Sequence, residues 1–156
     1  MNKYATAVLL TTLSACTFAA DKPLPGDSAP AFSATSLKGN TVNLEQYRGQ
    51  PVSLVFLDSL CPMPHWPDCE SQLAKVQKLS ARDQKNQWVG VVKGFYVDQA
   101  WVKTFAERWQ LEFPVIWDQD NKIFSTYKVF GNPYQIWVDE QGRIQSRGDN
   151  ISANVD

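Results

Sequence analysis

The residues best suited to chemistry are the three cysteines of the chain, Cys16, Cys61 and Cys69. Cys16 lies in an apolar N-terminal segment, whereas Cys61 and Cys69 are eight residues apart in the body of the chain. A cysteine pair can exchange between thiol and disulfide states, and it can also bind a soft metal ion. The spacing alone therefore predicts either a redox centre or a small metal site.

The metal alternative rests on four soft ligands within nine residues, namely Cys61, Met63, His65 and Cys69. Thiolate, thioether and imidazole together suit Cu(I). His65 is the only histidine of the chain, so a second, distant imidazole ligand is missing. Copper handling through these four residues is kept as the second alternative to redox chemistry.

The first twenty residues have the features of a signal peptide. Lys3 supplies a positive start, and the apolar run from Tyr4 to Ala15 is too short to span a bilayer permanently. The run Leu-Ser-Ala-Cys ending at Cys16 resembles the lipobox of bacterial lipoproteins. That resemblance implies cleavage before Cys16, lipid on its sulfur and a domain tethered to the membrane.

The competing prediction is ordinary cleavage after Ala19 or Ala20, which releases a soluble exported protein. Both cleavages leave Cys61 and Cys69 in the mature chain and place it in the periplasm or cell envelope. Disulfides form and persist in such compartments. Either cleavage therefore favours the redox interpretation of the pair.

Beyond residue 20, the order of predicted elements is typical of an α/β domain. Residues 21–31 are rich in Pro, Gly and Asp and predict a linker, and the domain is expected over residues 32–150. Strands are predicted at residues 32–35, 41–44, 52–57, 88–92, 113–117, 134–138 and 144–146. Helices are predicted at residues 68–80, from an N-cap at Asp98, and at 122–127. This alternation predicts a largely parallel centre with an antiparallel edge.

Cys61 lies where this pattern is most informative. The apolar run Val52–Leu57 predicts a strand buried on both faces, and Cys61 follows where the strand passes towards a helix. Backbone N–H groups at a helix start favour a thiolate, which is the attacking form of cysteine. We therefore expect the chemistry to be carried by Cys61.

Two segments resemble the thioredoxin-like redoxins, the group that includes the alkyl-hydroperoxide-reductase/thiol-specific-antioxidant family. They are VSLVFLDSLCP, a strand ending in Cys-Pro, and FPVIWDQDNKIFSTYKVFGNPYQIWVDEQGRI. The similarity covers roughly residues 25–147. It implies a thioredoxin-like fold, a central mixed sheet flanked by helices. It also implies thiol–disulfide exchange with protein thiols or disulfides of the cell envelope, without a cofactor.

The resemblance also implies roles for individual residues. Pro133 corresponds to the cis-proline that faces the active-site cysteine, and Asn132 would form part of the edge on which substrate docks. We hypothesise that Cys61 attacks and Cys69 resolves. The alternative is that Cys69 is a buried helical thiol.

The spacing of the cysteines departs from the thioredoxin motif. The usual second cysteine, three residues after the first, is replaced by Pro64. In one continuous helix the step from Cys61 to Cys69 would rise roughly 12 Å, too far for a disulfide. Pro64 and Pro67 make such a helix unfavourable, so the loop can fold back.

Peroxidase activity is the nearest alternative function. The peroxiredoxin pattern has Thr three residues before the nucleophile and Pro four residues before that, whereas this chain has Asp58 and Leu54. The Asp58 carboxylate disfavours a nearby thiolate. His65 has three interpretations, as a cation that tunes the thiolate, as an acid for the leaving thiol, or as a packing residue. We therefore rank disulfide exchange above peroxide reduction.

Length and charge limit the remaining classes. The chain has 156 residues and a formal net charge of −1, which fits one domain and excludes the basic face of a nucleic-acid-binding protein. Only nine polar-rich residues follow Arg147. We therefore expect the C-terminal helix of the thioredoxin-like fold to be short or absent.

Overall fold

The computed structural model describes residues 21–64, 66–131 and 133–153. Its strands are β1 (Ser33–Thr35), β2 (Thr41–Asn43), β3 (Val52–Leu57), β4 (Gln87–Lys93), β5 (Val115–Asp118), β6 (Tyr134–Val138) and β7 (Ile144–Gly148). Its helices are α1 (Cys69–Arg82), α2 (Gln99–Arg108) and α3 (Lys122–Tyr127), with a 3₁₀ turn at Leu44–Tyr47. Within these ranges no helix is long and apolar enough to cross a membrane. The predicted signal peptide and Cys16 lie outside the described residues.

Five strands form one mixed sheet in the order β5-β4-β3-β6-β7, and β1 pairs with β2 separately. The pairs β3–β4 and β4–β5 are parallel, whereas β3–β6 and β6–β7 are antiparallel. All six residues of β3 are buried, as the uninterrupted apolar run predicts for a central strand. The structure confirms the predicted mixed sheet, and its antiparallel part is as large as its parallel part.

Successive β3 side chains point to opposite faces of the sheet and enter two separate cores. Leu54 and Phe56 belong to the core that includes α3. Val55 and Leu57 belong to the core that includes α1 and α2. Each fully buried side chain of this size contributes about 1.5–3 kcal/mol. The two cores together fix the end of β3, from which the cysteine loop departs.

The helix starts follow short-range signals. The Asp98 side chain accepts a hydrogen bond from the backbone N–H of Trp101 at 2.8 Å, so the predicted N-cap of α2 is present. Asp118, at the end of β5, accepts from the backbone N–H groups of Ile123 and Phe124 at 3.2 and 2.9 Å. Burial raises the pKa of the Asp118 carboxyl, although these two hydrogen bonds oppose the shift. Asp118 therefore holds α3 against the sheet edge.

The segment that we predicted as a linker, residues 21–31, contacts β7. Gly26 donates its backbone N–H to Ile144 at 2.8 Å, and Ala29 donates to Gly142 at 2.9 Å. Ala29 is buried in the core of the α3 face. These contacts make the segment from Gly26 onward part of the folded unit.

The residues after β7 cover the other core without forming a helix. Ile151 is fully buried among side chains of β3, α1 and α2. The buried Gln135 amide accepts from the N–H of Ser152, and it donates to the Ser152 carbonyl, both at 2.8 Å. It also donates to the Ser53 hydroxyl at 2.7 Å. As far as residue 153 the chain after β7 forms bends and irregular structure, in line with the C-terminal helix that we expected to be short or absent.

Candidate functional site

Cys61 and Cys69 form a disulfide, with an S–S distance of 1.97 Å and a Cα–Cα distance of 6.0 Å. The Cα–Cα distance is within the usual disulfide range and far below the span of a continuous helix of this length. The loop between β3 and α1 therefore folds back on itself. Cys69 is not an isolated buried thiol, which removes that alternative.

Two tight turns fold the loop. In the first turn, the N–H of Leu60 donates to the Asp58 carboxylate at 3.0 Å, and the N–H of Cys61 donates to the Asp58 carbonyl at 3.4 Å. In the second, the N–H of Trp66 donates to the Met63 carbonyl at 2.9 Å. The peptide bond between Cys61 and Pro62 is cis. Asp58 thus stabilises the turn that leads from β3 to Cys61.

The helix predicted over residues 68–80 is confirmed by α1, which begins at Cys69. β3 ends at Leu57, so the helix-start N–H groups that we expected to act on Cys61 lie at Cys69 instead. Pro64 and Pro67 account for this separation, because the described residues between Cys61 and Cys69 form turns, bends and an isolated bridge instead of a helical segment. The positive end of the α1 dipole therefore acts on the Cys69 sulfur.

The two sulfurs differ in their surroundings. Cys61 is 5% exposed and Cys69 is 2% exposed. Cys61 lines a groove of about 450 Å³ between its own loop and α2, and Cys69 is not part of that lining. The groove is formed by Ser59, Leu60, Cys61, Pro62, Trp101, Thr104, Phe105 and Arg108. The groove therefore reaches Cys61 and not Cys69.

A second groove, of about 460 Å³, lies beside the same loop towards α3. Its lining includes Met63 and Trp66 of the loop together with Asp58 and Lys93. The Lys93 ammonium is 3.9 Å from the Asp58 carboxylate. Asp58 directly follows β3, and Lys93 is the last residue of β4, the parallel neighbour of β3. The two opposite charges therefore meet at the carboxyl edge of the sheet.

Pro133 lies at this same edge. It is buried and directly precedes Tyr134, which pairs with Phe56 of β3. The cysteine loop and Pro133 therefore leave adjacent strands at one end of the sheet. Asn132 lies outside the described residues. The peptide bond between Asn132 and Pro133, which we predicted to be cis, and the predicted docking edge therefore stay predictions. His65 also lies outside the described residues.

Sequence reasoning assigned no role to Lys93 or Trp101, two residues that the structure places at the site. Lys93 is the last residue of β4, and its pairing with Asp58 depends on the parallel β3–β4 register. Trp101 occupies an exposed position of α2, and its indole N–H donates to the Ser59 carbonyl at 3.3 Å. A charged residue ending an apolar strand was the available signal for Lys93. No local pattern identified Trp101.

Comparison with known proteins decides the family. The sequence profile of the AhpC/TSA family matches residues 25–147, well over half of the chain. The chain belongs to the AhpC/TSA family. The similarity predicted from the two sequence segments is therefore confirmed over the same residues.

Individual relatives are thiol–disulfide oxidoreductases by name. The chain is 28% identical over 120 residues to thiol-disulfide oxidoreductase ResA of Geobacillus kaustophilus. The match covers 77% of this chain and 66% of that relative, so the chain spans slightly less than two thirds of its length. This chain can thus be aligned over 77% of its length with a relative that is named as a thiol-disulfide oxidoreductase.

Solved structures share the fold. A secreted disulfide oxidoreductase of Mycobacterium tuberculosis, homologous to E. coli DsbE, superposes with a TM-score of 0.65 at 22% identity, covering 80% of this chain and 87% of the other. The thioredoxin domain of a thiol-disulfide oxidoreductase from Bacteroides vulgatus superposes with a TM-score of 0.61 at 25% identity, covering 79% and 86%. The predicted thioredoxin-like fold is confirmed.

Proposed function

We propose that the chain exchanges disulfides with protein thiols of the cell envelope through Cys61, with Cys69 as the resolving thiol. The observation that supports this most directly is the Cys61–Cys69 disulfide, of which Cys61 lines an open groove. Family membership and the names of the relatives support the same reaction class. The two sulfurs hold both electrons, so the reaction requires no cofactor.

In the oxidising direction, a substrate thiolate attacks Cys61 Sγ and forms a mixed disulfide, while the Cys61–Cys69 bond breaks. The electron pair of that bond leaves on Cys69, whose position at the start of α1 stabilises a thiolate. A second substrate thiolate then attacks the substrate sulfur and releases Cys61 as a thiolate. The substrate loses two electrons and the protein gains them. The reducing direction follows the same steps in reverse.

Location outside the cytoplasm is part of the proposal. Its support is the predicted signal peptide of residues 1–20 and the match of the fold to a secreted oxidoreductase. A lipid on Cys16 would attach the domain to the membrane. Metabolic labelling with a fatty acid, compared between the native chain and Cys16→Ser, tests the anchor, and equal labelling of both would contradict it.

The exchange reaction is tested with single-cysteine variants of the mature domain and insulin as substrate. Cys61→Ser should abolish insulin reduction and form no mixed disulfide. Cys69→Ser should accumulate a mixed disulfide with the substrate on non-reducing gels, because the resolving thiol is missing. If Cys61→Ser forms the adduct and Cys69→Ser does not, the assigned roles are reversed and the proposal fails.

Peroxide reduction is the second candidate, favoured by membership of the AhpC/TSA family. Against it, the Asp58 carboxylate stands where the peroxiredoxin pattern has a Thr hydroxyl, and it is hydrogen-bonded to the backbone of Leu60. Hydrogen peroxide consumption, measured beside insulin reduction in the same preparation, separates the two functions. We expect insulin reduction to be much the faster reaction.

The copper alternative concerns the reduced protein, since neither cysteine of a disulfide is a thiolate ligand. Among the residues with described structure, no three His, Cys, Asp or Glu side chains form a candidate metal cluster. Titration of the reduced protein with Cu(I) tests this alternative. Tight one-to-one binding that is lost in Met63→Leu would support copper handling.

A further inference from the structure

We propose that the groove between the Cys61 loop and α2 binds the residue next to the reactive cysteine of a protein substrate, and that Trp101 selects substrates in which this residue is apolar. The inference rests on the proposed function and adds a substrate class to it. The site is separate from the docking edge predicted at Asn132 and Pro133. Its occupant is an extended protein segment that carries a cysteine beside an apolar side chain.

The groove is apolar on both of its walls. Leu60 and Pro62 lie on the loop side, and Trp101 and Phe105 lie on the α2 side. Cys61 lies among them, so a substrate sulfur that reaches Cys61 brings its neighbouring residue against these four side chains. Burial of apolar surface on both partners then favours binding.

Trp101 leaves an unusual amount of apolar surface in solvent. Its side chain is 53% exposed, although Val102 and Phe105 of the same helix are buried. An exposed large ring beside a reactive group is typical of the central residues of protein interfaces. The uncovered face of Trp101 is therefore available to a substrate side chain.

Trp101 is also held in place before any substrate arrives. Its indole N–H donates to the Ser59 carbonyl at 3.3 Å, and its backbone N–H donates to the Asp98 cap at 2.8 Å. The first bond joins α2 to the loop two residues before Cys61. A ring that is already oriented loses little conformational entropy on binding.

The charges at the groove favour a neutral, apolar occupant. Arg108 is the charged residue of the lining, and its guanidinium lies 3.1 Å from the Glu70 carboxylate on α1. The charge of Arg108 is thus already paired with that of Glu70. A charged residue beside the substrate cysteine would therefore find no unpaired opposite charge in the groove lining. A small charged thiol such as glutathione would leave the Trp101 ring uncovered.

The test uses reduced protein and two short peptides, each with its cysteine activated as a mixed disulfide with nitrothiobenzoate. One peptide has leucine beside the cysteine and the other has serine. The native protein should react faster with the leucine peptide. Trp101→Ala and Trp101→Gln should slow that reaction about tenfold and slow the serine peptide less than about twofold.

Two control variants separate contact from positioning. Trp101→Phe keeps the ring but loses the indole N–H, and it should retain the preference for leucine. Tyr96→Ala removes an aromatic ring that is 96% exposed and lies outside the groove lining, and it should change neither rate.

Two results would overturn the inference: a leucine preference that survives in both Trp101→Ala and Trp101→Gln, or an equal loss with both peptides. The second result would assign Trp101 to positioning of the loop alone. Failure of the proposed function would differ, because the native protein would then react with neither peptide and would leave insulin oxidised.

Discussion

Opposite charges stand beside the loop that carries Cys61. The Asp58 carboxylate accepts the N–H of Leu60 at 3.0 Å and lies 3.9 Å from the Lys93 ammonium. A carboxylate near a cysteine opposes ionisation of the thiol, and an ammonium favours it. We therefore expect the balance between these two side chains to affect how readily the reduced Cys61 attacks.

Replacing Asp58 by Asn tests this balance. The amide oxygen can still accept the Leu60 N–H, but the negative charge is removed and the Lys93 charge remains. We expect iodoacetamide to alkylate the reduced Cys61 about two- to fivefold faster at pH 7, in a Cys69→Ser background. Asp120→Asn, which removes an exposed carboxylate paired with Lys122, is the matched control and should leave the rate unchanged. A slower reaction of Asp58→Asn would contradict the assignment.

At the scale of elements, α1 is fixed at both ends to the sheet. Its first residue, Cys69, is bonded to the loop that follows β3. Beyond its last turn, the Asp83 carboxylate accepts from the Trp88 indole of β4 at 2.9 Å and from the Asn86 amide at 2.8 Å. Burial would raise the pKa of Asp83, but the hydrogen bonds from Asn86, Trp88 and Lys85 outweigh it and lower the pKa. The ionised Asp83 therefore stabilises the junction between α1 and β4.

The lowered pKa predicts a pH dependence for Asp83→Asn. The ionised carboxylate contributes stability fully above the unfolded-state pKa, about 3.8, and loses it as pH falls through the folded-state value. At pH 7 the free energy of unfolding of the variant should therefore be about 1 kcal/mol lower than that of the native domain. The difference should narrow below about pH 3.8, as measured by urea unfolding at a series of pH values. A difference that stays constant from pH 7 to pH 2.5 would rule out the ionised carboxylate as its cause.

The regular elements could be predicted because their signals are local. The apolar run of β3 and the Asp98 cap each act over a few residues, and both elements are where the sequence placed them. The cysteine loop is different, because its turns place the helix-start N–H groups at Cys69, although we expected them to act on Cys61. The pairing of Lys93 with Asp58 depends on strand register, which residue patterns do not specify. The sequence therefore singled out the two cysteines that form the disulfide, but it did not predict the residues that surround them.

At the scale of the molecule, segments at both ends of the described chain complete the domain. Gly26 hydrogen-bonds to β7 and Ala29 to the turn before it, and the tail at Ile151 and Ser152 covers the core beside α1. The sequence predicted a linker for residues 21–31, and it predicted a short or absent helix for the residues after Arg147. Short polar-rich segments carry too little periodicity to predict packing, since a single buried side chain such as Ile151 determines it.

Ile151→Ala tests how much the tail contributes. Ile151 is fully buried in the core that also holds Cys61 and Cys69, so truncation leaves a cavity. We expect a loss of about 2–4 kcal/mol in the free energy of unfolding, measured with urea on the oxidised domain. Leu24→Ala, at a leucine that is 54% exposed, is the control and should change it by less than about 0.5 kcal/mol. A comparably small effect of Ile151→Ala would mean that the tail is dispensable.

The covalent ring closed between Cys61 and Cys69 encloses Trp66, an indole that is 45% exposed. Reduction opens this ring and frees the segment that carries Trp66. We therefore expect the fluorescence of Trp66 to change when the disulfide is reduced. Emission spectra of the oxidised and reduced domain, with Trp66→Phe as the control, would then follow the state of the cysteine pair without an added dye.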